Sequence, residues 1–198
     1  MLISCNVSSL VVDTLRKQAM EENAAVACFN FDFAAREQSP AAVLGSVLKQ
    51  VVAGLEAFPE RIVRVFRGRE KVIGGPKLPL SEIVELLQDI SSSGCTFICI
   101  DALDECPPGH RESLLDLLNQ ILQKSPGVRL FMTGRQHIMD EVEKHLGGRV
   151  ATCSITPTKN DIITFLRTKL KEDTIPDAMD ESLEEEIIQN IPGTGSGM

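Results

Sequence analysis

The chain has 198 residues, 43% of them hydrophobic and 24% charged, which is typical of a globular protein with a substantial core. Its net charge of −8 argues against a nucleic-acid-binding surface, because phosphate contacts need clustered lysine and arginine. No run approaches the roughly 20 apolar residues of a membrane span, and the N-terminus lacks the positive segment of a signal peptide.

The six cysteines form no C-x-x-C pair, and several lie within apolar runs where cysteine behaves as a small hydrophobic residue. The three histidines do not complete a zinc site at the usual ligand spacing. We therefore expect reduced thiols and a cytoplasmic protein that binds neither nucleic acid nor membrane.

Two hydrophobic periods alternate along the chain, helical spacing in some segments and continuous apolar runs in others. Together they predict helices over 8–22, 44–55, 59–66, 81–90, 114–122, 138–146 and 158–170, and a final helical segment near 183–188. They predict strands over 24–33, 96–100, 128–133 and 149–155. Strands that alternate with helices indicate an α/β fold, a three-layer parallel sheet with helices on both faces.

The most informative stretch is T-F-I-C-I-D-A-L-D-E-C, residues 96–106. An apolar strand ends at Asp101, and Asp104 and Glu105 follow, so all three acids are expected near the carboxyl edge of the sheet, where α/β sheets bind ligands. Nucleotide-hydrolysing P-loop proteins hold magnesium this way, in the arrangement called Walker B. Asp101 would hold Mg²⁺ through its water shell, and Asp104 or Glu105 would orient or deprotonate the attacking water. An acidic first helical turn is the simpler alternative, but the full Asp-x-x-Asp-Glu pattern favours the functional interpretation.

The next predicted strand ends in V-R-L-F-M-T-G-R. Its tip carries Thr133 and Arg135, which are expected beside the acidic edge. A polar residue at that tip senses the terminal phosphate in P-loop enzymes, and an arginine stabilises charge that develops there.

Four motifs together resemble the NACHT-type NTPase domains of fungal NLR-like (STAND) proteins, also described as nephrocystin-3-like N-terminal modules: V-V-D-T-L-R-K-Q, F-N-F-D-F, F-I-C-I-D-A-L-D-E-C and R-L-F-M-T-G-R. The resemblance runs from about Ser8 to Met198. It implies a P-loop NTPase fold and a signalling switch that binds Mg²⁺ with ATP or GTP, oligomerises, and precedes repeat domains in longer relatives. By matching motif it also implies residue roles: magnesium aspartate for Asp101, catalytic acids for Asp104 and Glu105, and sensor arginine for Arg135.

The chain departs from this family in its phosphate-binding half. Family members carry G-x-x-G-x-G-K-[ST] just before the helix that is predicted here from Ser8, whereas this chain has M-L-I-S-C-N-V at 1–7 and no Gly-Lys pair anywhere. A P-loop cradles phosphates with backbone N–H groups and a lysine. We therefore expect one partial domain over 1–198, with four strands and the usual first strand missing, 1–7 as an atypical replacement of the P-loop, and 192–198 as a frayed tail.

Three functional hypotheses remain open. The chain is a NACHT signalling domain that binds or hydrolyses nucleotide poorly, a competent NTPase whose P-loop is missing from the gene model, or a non-enzymatic module that associates with full-length NLR-like relatives. For the chain as written we expect a homo-oligomer or a hetero-oligomer with NACHT proteins, since a missing strand leaves its neighbour with an unpaired edge.

Overall fold

The computed structural model describes residues 2–22, 24–34, 38–55, 57–69, 78–92, 94–155, 158–172 and 181–194. The chain divides into two compact units, Met1–Val150 and Ala151–Met198, and each is considered by itself. The expectation of one domain over 1–198 stays a prediction.

The first unit contains the strands and most of the helices. In chain order its elements are α1 (Leu2–Glu22), β1 (Ala25–Asn30), α2 (Pro40–Ala53), α3 (Glu60–Arg69), α4 (Leu80–Ser92), β2 (Thr96–Asp101), α5 (Pro108–Lys124), β3 (Val128–Met132) and α6 (Met139–Leu146). Short 3-10 turns at Leu103–Glu105 and Gln136–Ile138 follow β2 and β3. The α/β class predicted from the sequence is confirmed.

The strands form one three-stranded parallel sheet in the order β1-β2-β3. Side chains alternate between its faces, as strand geometry requires. The core face carries Ala25, Ala27, Thr96, Ile98, Ile100, Val128, Leu130 and Met132. The opposite face, the α1 face, carries Val26, Cys28, Phe97, Cys99, Asp101, Arg129 and Phe131.

The core face packs against α2 and α5, which in turn contact α4. α2 begins where Ser39 accepts a hydrogen bond from the Ala42 N–H, with Pro40 in the first turn. Its inward residues recur at helical spacing and are fully buried, among them Val43, Leu44, Val47 and Val51. Burial of these side chains contributes about 1.5–3 kcal/mol each. α1 covers the other face and contacts β1 and β2.

The structure corrects two expectations about the sheet. The segment 149–155 is not a fourth strand: Ala151 to Ile155 are all exposed, so it lacks the half-buried face of a strand. α1 begins at Leu2 rather than Ser8, so residues 2–7, expected as an atypical replacement of the P-loop, are helical and add no strand to the sheet. Residues 2–22 contain no glycine or proline that would end the helix.

The second unit contains α7 (Lys159–Lys171) and α8 (Glu181–Thr194), which contact each other. Thr158 and Asp161 form the predicted capping box, and hydrogen bonds from the hydroxyl and N–H of Thr158 lower the pKa of Asp161. The expected frayed tail falls partly on α8, which extends to Thr194, and partly on 195–198, outside the described residues. None of the described helices is long and apolar enough to cross a membrane.

Candidate functional site at the carboxyl end of the sheet

Asp101 is the last residue of β2 and lies on the α1 face. Its Oδ1 accepts hydrogen bonds from two hydroxyls, those of Ser8 in α1 and Thr133 just after β3. The Thr133 hydroxyl oxygen also accepts a hydrogen bond from the Ala102 N–H at 3.1 Å. The structure thus brings Asp101 and Thr133 together, as predicted, and adds Ser8.

The chain turns sharply after Asp101. Ala102 has φ 53° and ψ 45°, in the left-handed region, and it is the one non-glycine residue with positive φ in the described part of the chain. This conformation costs an alanine about 1–2 kcal/mol. Two hydrogen bonds hold the tips of β2 and β3 together here, from the Leu103 N–H to the Thr133 carbonyl at 2.9 Å and from the Thr133 N–H to the Ile100 carbonyl at 3.0 Å.

Asp104 lies on the 3-10 turn and pairs with Arg135. The Arg135 Nε lies 3.2 Å from Asp104 Oδ2, and the Arg135 N–H donates to Oδ1 at 3.3 Å. Gly134, between Thr133 and Arg135, packs closely against Ile138, since a Cβ there would lie 2.7 Å from Ile138 Cδ1. The arginine is 69% exposed while the aspartate is 9% exposed, so Asp104 holds Arg135 from one side only.

Glu105 points to a different neighbour. Its carboxylate accepts a hydrogen bond from the Phe33 N–H at 3.0 Å, in the loop after β1. The turn that carries both acids is anchored from beneath by Arg111 of α5, whose Nη1 donates to the Cys106 carbonyl at 3.0 Å and the Asp104 carbonyl at 3.4 Å. Arg111 also forms an ion pair with Glu141 of α6, with Nη2 2.7 Å from Oε2.

The predicted acids line two separate cavities. Asp101 lines one of about 280 Å³ with Ser8 and Arg16 of α1 and Phe131 of β3. Asp104 and Glu105 line another, of about 540 Å³, whose other lining residues are Phe33, Gln38, Cys106, Pro107, Pro108, His110, Arg111 and His137. The sequence predicted one site, whereas the left-handed turn at Ala102 divides the acids between two.

Two cysteines near these cavities, Cys99 and Cys106, have raised thiol pKa values. Burial raises the pKa of Cys99, beside the first cavity, to about 11. Burial likewise raises the pKa of Cys106, in the second, to about 11. The five cysteines whose side chains the structure describes, Cys28, Cys95, Cys99, Cys106 and Cys153, are free thiols. Since the thiolate is the nucleophile, neither Cys99 nor Cys106 is suited to covalent catalysis.

The oxygen donors around Asp101 fit a hard divalent cation. Mg²⁺ is usually held by one or two carboxylates and several waters, and Asp101 offers a carboxylate flanked by the hydroxyl oxygens of Ser8 and Thr133. Over the described residues, no group of three His, Cys, Asp or Glu side chains is arranged to hold a metal ion. A metal there would therefore depend on water or phosphate for its other ligands.

The start of the chain does not form the phosphate-binding loop of a P-loop protein. The place of the glycine-rich loop is occupied by the first turns of α1, residues 2–5, which are regular helix. The basic residue that lines the Asp101 cavity is Arg16, on the fourth turn of α1 rather than at its start. The structure thus combines a carboxylate–hydroxyl cluster with a helix where phosphate-binding backbone would be needed.

Two residues that contact the candidate site, Ser8 and Arg111, were not identified from the sequence. Ser8 was interpreted only as the start of a helix. It lies four residues before Val12, which also lines the Asp101 cavity, and this spacing would have placed both residues on one face of the helix. Arg111 is linked to Asp104 and Cys106 by contacts with backbone carbonyls, and these leave no pattern in the side-chain sequence.

Comparison with known proteins gives one family. The family described as Nephrocystin 3, N-terminal matches residues 6–135, more than half of the 198-residue chain. No curated protein matches. The chain is also similar to the structure of a Walker-type ATPase of Pyrococcus abyssi, with 15% identity and a TM-score of 0.46; the match covers 92% of this chain and 63% of that one.

Proposed function

Because the chain belongs to the nephrocystin 3 N-terminal family, we propose that it is a NACHT-type nucleotide-binding signalling domain with a metal-binding half and a deficient phosphate-binding half. It would bind Mg²⁺ with ATP or GTP weakly and hydrolyse either poorly. The observation that carries the proposal is the Asp101 carboxylate between the hydroxyls of Ser8 and Thr133, next to a helix that occupies the place of the P-loop.

The metal would be held by Asp101, with the hydroxyl oxygens of Ser8 and Thr133 close enough to orient its waters. When bound, Mg²⁺ supplies positive charge that offsets the charge of the phosphates. Arg135 would act as the sensor arginine only after leaving Asp104. That separation would leave the Asp104 side chain, which is 9% exposed, without its ion-pair partner.

Catalysis by Asp104 or Glu105 would require a rearrangement, because both carboxylates have other partners. Asp104 is engaged by Arg135 and Glu105 by the Phe33 N–H, and both line the cavity that does not include Asp101. A water that reacts beside the Asp101 cation would need one of these acids to move. Slow hydrolysis follows from this arrangement as well as from the absent lysine.

Nucleotide affinity tests the proposal directly. Calorimetric titration with Mg-ATP and Mg-GTP should give an affinity about a hundredfold or more below that of a family member with an intact G-x-x-G-x-G-K-[ST] loop, since several charge-assisted hydrogen bonds are missing. The Asp101→Ala variant should bind still more weakly, whereas the control Asp140→Ala removes an exposed carboxylate and should not. Micromolar binding that Asp101→Ala abolishes would instead favour a competent NTPase.

A second candidate is a non-enzymatic module that associates with NLR-like relatives. It is favoured by the internal partners of the acids, because Asp101, Asp104 and Glu105 each already hold a protein group. A thermal melt with increasing Mg²⁺ separates the two candidates. Stabilisation of the wild type and of Asp140→Asn, but not of Asp101→Asn, would support the metal site, while no stabilisation of any variant would support the interaction module.

The setting we propose is a cytoplasmic signalling assembly of the fungal STAND kind, with repeat domains in longer relatives. The free cysteines support a reducing compartment. Co-purification with an intact family member tests the hetero-oligomer, and a chain that captures no relative would contradict it.

A further inference from the structure

The two edges of the sheet are each closed at one residue, but at different positions along the strand. In a parallel ladder, alternate residues of an outer strand direct both backbone groups away from the sheet. The Phe31 N–H donates to the Asp101 carbonyl and the Ala25 N–H to the Cys95 carbonyl, so the odd-numbered residues of β1 face β2. Val26, Cys28 and Asn30 therefore face outward.

Gln50 of α2 closes the β1 edge at its midpoint. The Cys28 N–H donates to Gln50 Oε1 at 3.0 Å, and Gln50 Nε2 donates to the Cys28 carbonyl at 2.7 Å. A side-chain amide thus makes both hydrogen bonds that a neighbouring strand would make. Among the described residues, the outward groups of Val26 and Asn30 form no such bond, but pairing along β1 would be interrupted between them at Cys28.

The β3 edge is closed only at its start. The Thr96 N–H donates to the Gly127 carbonyl and the Thr133 N–H to the Ile100 carbonyl, so Val128, Leu130 and Met132 face outward. The Val128 N–H donates to the Ser125 carbonyl, and its carbonyl accepts from Arg129 Nη1 at 3.1 Å. Within the part of the chain that the structure describes, the outward groups of Leu130 and Met132 form no such bond.

We propose that the β3 edge pairs with the β3 edge of a second copy of this chain, antiparallel about a two-fold axis at Phe131. In this register Leu130 lies opposite Met132 of the second copy, and the reverse pair is its symmetry mate. Each pair exchanges two hydrogen bonds, so every open group of the edge is used. A register centred on Leu130 would instead place Met132 opposite the closed Val128.

The side chains of the edge suit this partner. Phe131 is half-buried on the α1 face, and the two-fold axis places it directly opposite Phe131 of the second copy. Aromatic pairs across antiparallel strands stabilise a sheet beyond the area they bury. The same edge is thus self-complementary, as a two-fold interface requires.

A proline that removes one outward N–H tests the pairing. Met132→Pro removes a hydrogen bond of the proposed interface but none of the ladder with β2, and edge strands tolerate proline at such positions. Met132→Ala is the matched control, because it removes the same side chain and keeps the N–H. By sedimentation equilibrium we expect a dimer for the wild type and Met132→Ala, and a dissociation constant raised about tenfold or more by Met132→Pro.

A cysteine at the axis tests the register independently of proline. In a non-hydrogen-bonded antiparallel pair the Cα atoms lie about 4.5 Å apart, which a disulfide can span. Phe131→Cys should therefore form a covalent dimer on mild oxidation. Phe97→Cys is the control on the same face of β2, where three strand spacings of about 4.8 Å separate it from its mate. Both variants carry Cys99→Ala and Cys153→Ala, since Cys99 is in register with Phe131 and Cys153 is exposed.

Covalent dimer from Phe131→Cys in clear excess over Phe97→Cys would support the proposal even if Met132→Pro failed to fold. A monomeric wild type at every concentration measured would overturn it. Equal dissociation constants for folded Met132→Pro and Met132→Ala would also overturn the proposal. Equal yields of covalent dimer from Phe131→Cys and Phe97→Cys would overturn it as well.

Discussion

Replacement of Arg111 is expected to lower the free energy of unfolding more than replacement of any exposed charged residue in this chain. Its side chain is 9% exposed and that of its ion-pair partner Glu141 is 21% exposed. Arg111 Nε and Nη2 lie 2.8 and 2.7 Å from the same oxygen, Glu141 Oε2. Arg111→Met leaves that carboxylate buried without its partner, which typically costs about 3–5 kcal/mol. Such a loss is a large fraction of a typical stability of about 5–15 kcal/mol.

The control for this prediction is Arg64→Met. Arg64 pairs with Glu60 at 3.6 Å, but the two side chains are 77% and 91% exposed, so the loss should stay below about 0.5 kcal/mol. The double variant Arg111→Met/Glu141→Leu should recover much of the stability, since apolar replacement of a whole buried pair is often neutral. Glu141 Oε1, which is buried without a hydrogen-bond partner among the described residues, adds to that expectation.

The assay is urea unfolding followed by far-UV circular dichroism, because the chain has no Trp or Tyr to report by fluorescence. The free energies of unfolding of the four proteins form the comparison. If Arg111→Met cost no more than Arg64→Met, the ion pair and the carbonyl contacts of Arg111 would not hold the turn that carries Asp104, and the reasoning would fail.

Three further predictions concern the cysteines and glycines. Iodoacetamide near pH 8 should modify exposed Cys153 quickly and Cys99 and Cys106 slowly, because burial raises the pKa of both to about 11; equal rates in the folded protein would contradict this. The ordinary thiol pKa is 9.0, so between pH 9.0 and about 11 the folded state retains protons that the unfolded chain loses, and the free energy of unfolding should fall as pH rises. Gly127→Ala should cost about 1–3 kcal/mol or more, since its Cβ would lie 2.4 Å from the Gly94 carbonyl oxygen. Gly109→Ala, with no atom within 4 Å of its Cβ, should leave the urea midpoint unchanged or raise it.

Much of the fold could be predicted because local pattern and burial agree. The apolar residues of α2 recur at helical spacing, and the apolar run of β2 ends at Asp101, as the structure confirms. The strand predicted over 149–155 was wrong because a strand depends on a neighbour to pair with and on a face to bury. Neither is encoded within the segment itself. The predicted start of α1 at Ser8 was wrong because the helical spacing of Leu10, Val11, Leu15 and Ala19 indicates a helix without fixing the residue at which it begins.

Part of the candidate site could be predicted from the order of the strands. Asp101 and Thr133 end adjacent parallel strands, so their proximity follows from topology. The separation of Asp104 and Glu105 from Asp101 depends on one backbone dihedral at Ala102, and alanine gives no sign of a left-handed turn. The Ser8 contact depends on how α1 crosses the sheet, which spacing along the chain does not determine.

Gln50 has a consequence for the size of any assembly built on this sheet. A sheet that can pair with other copies at both edge strands grows without limit into a fibre. A sheet that can pair at only one edge strand stops at a dimer. By occupying Cys28, the glutamine amide interrupts the β1 edge at its midpoint, whereas the β3 edge keeps two successive outward residues, Leu130 and Met132, open. In the proposed dimer, one side chain on a helix would therefore oppose growth of the sheet beyond two copies.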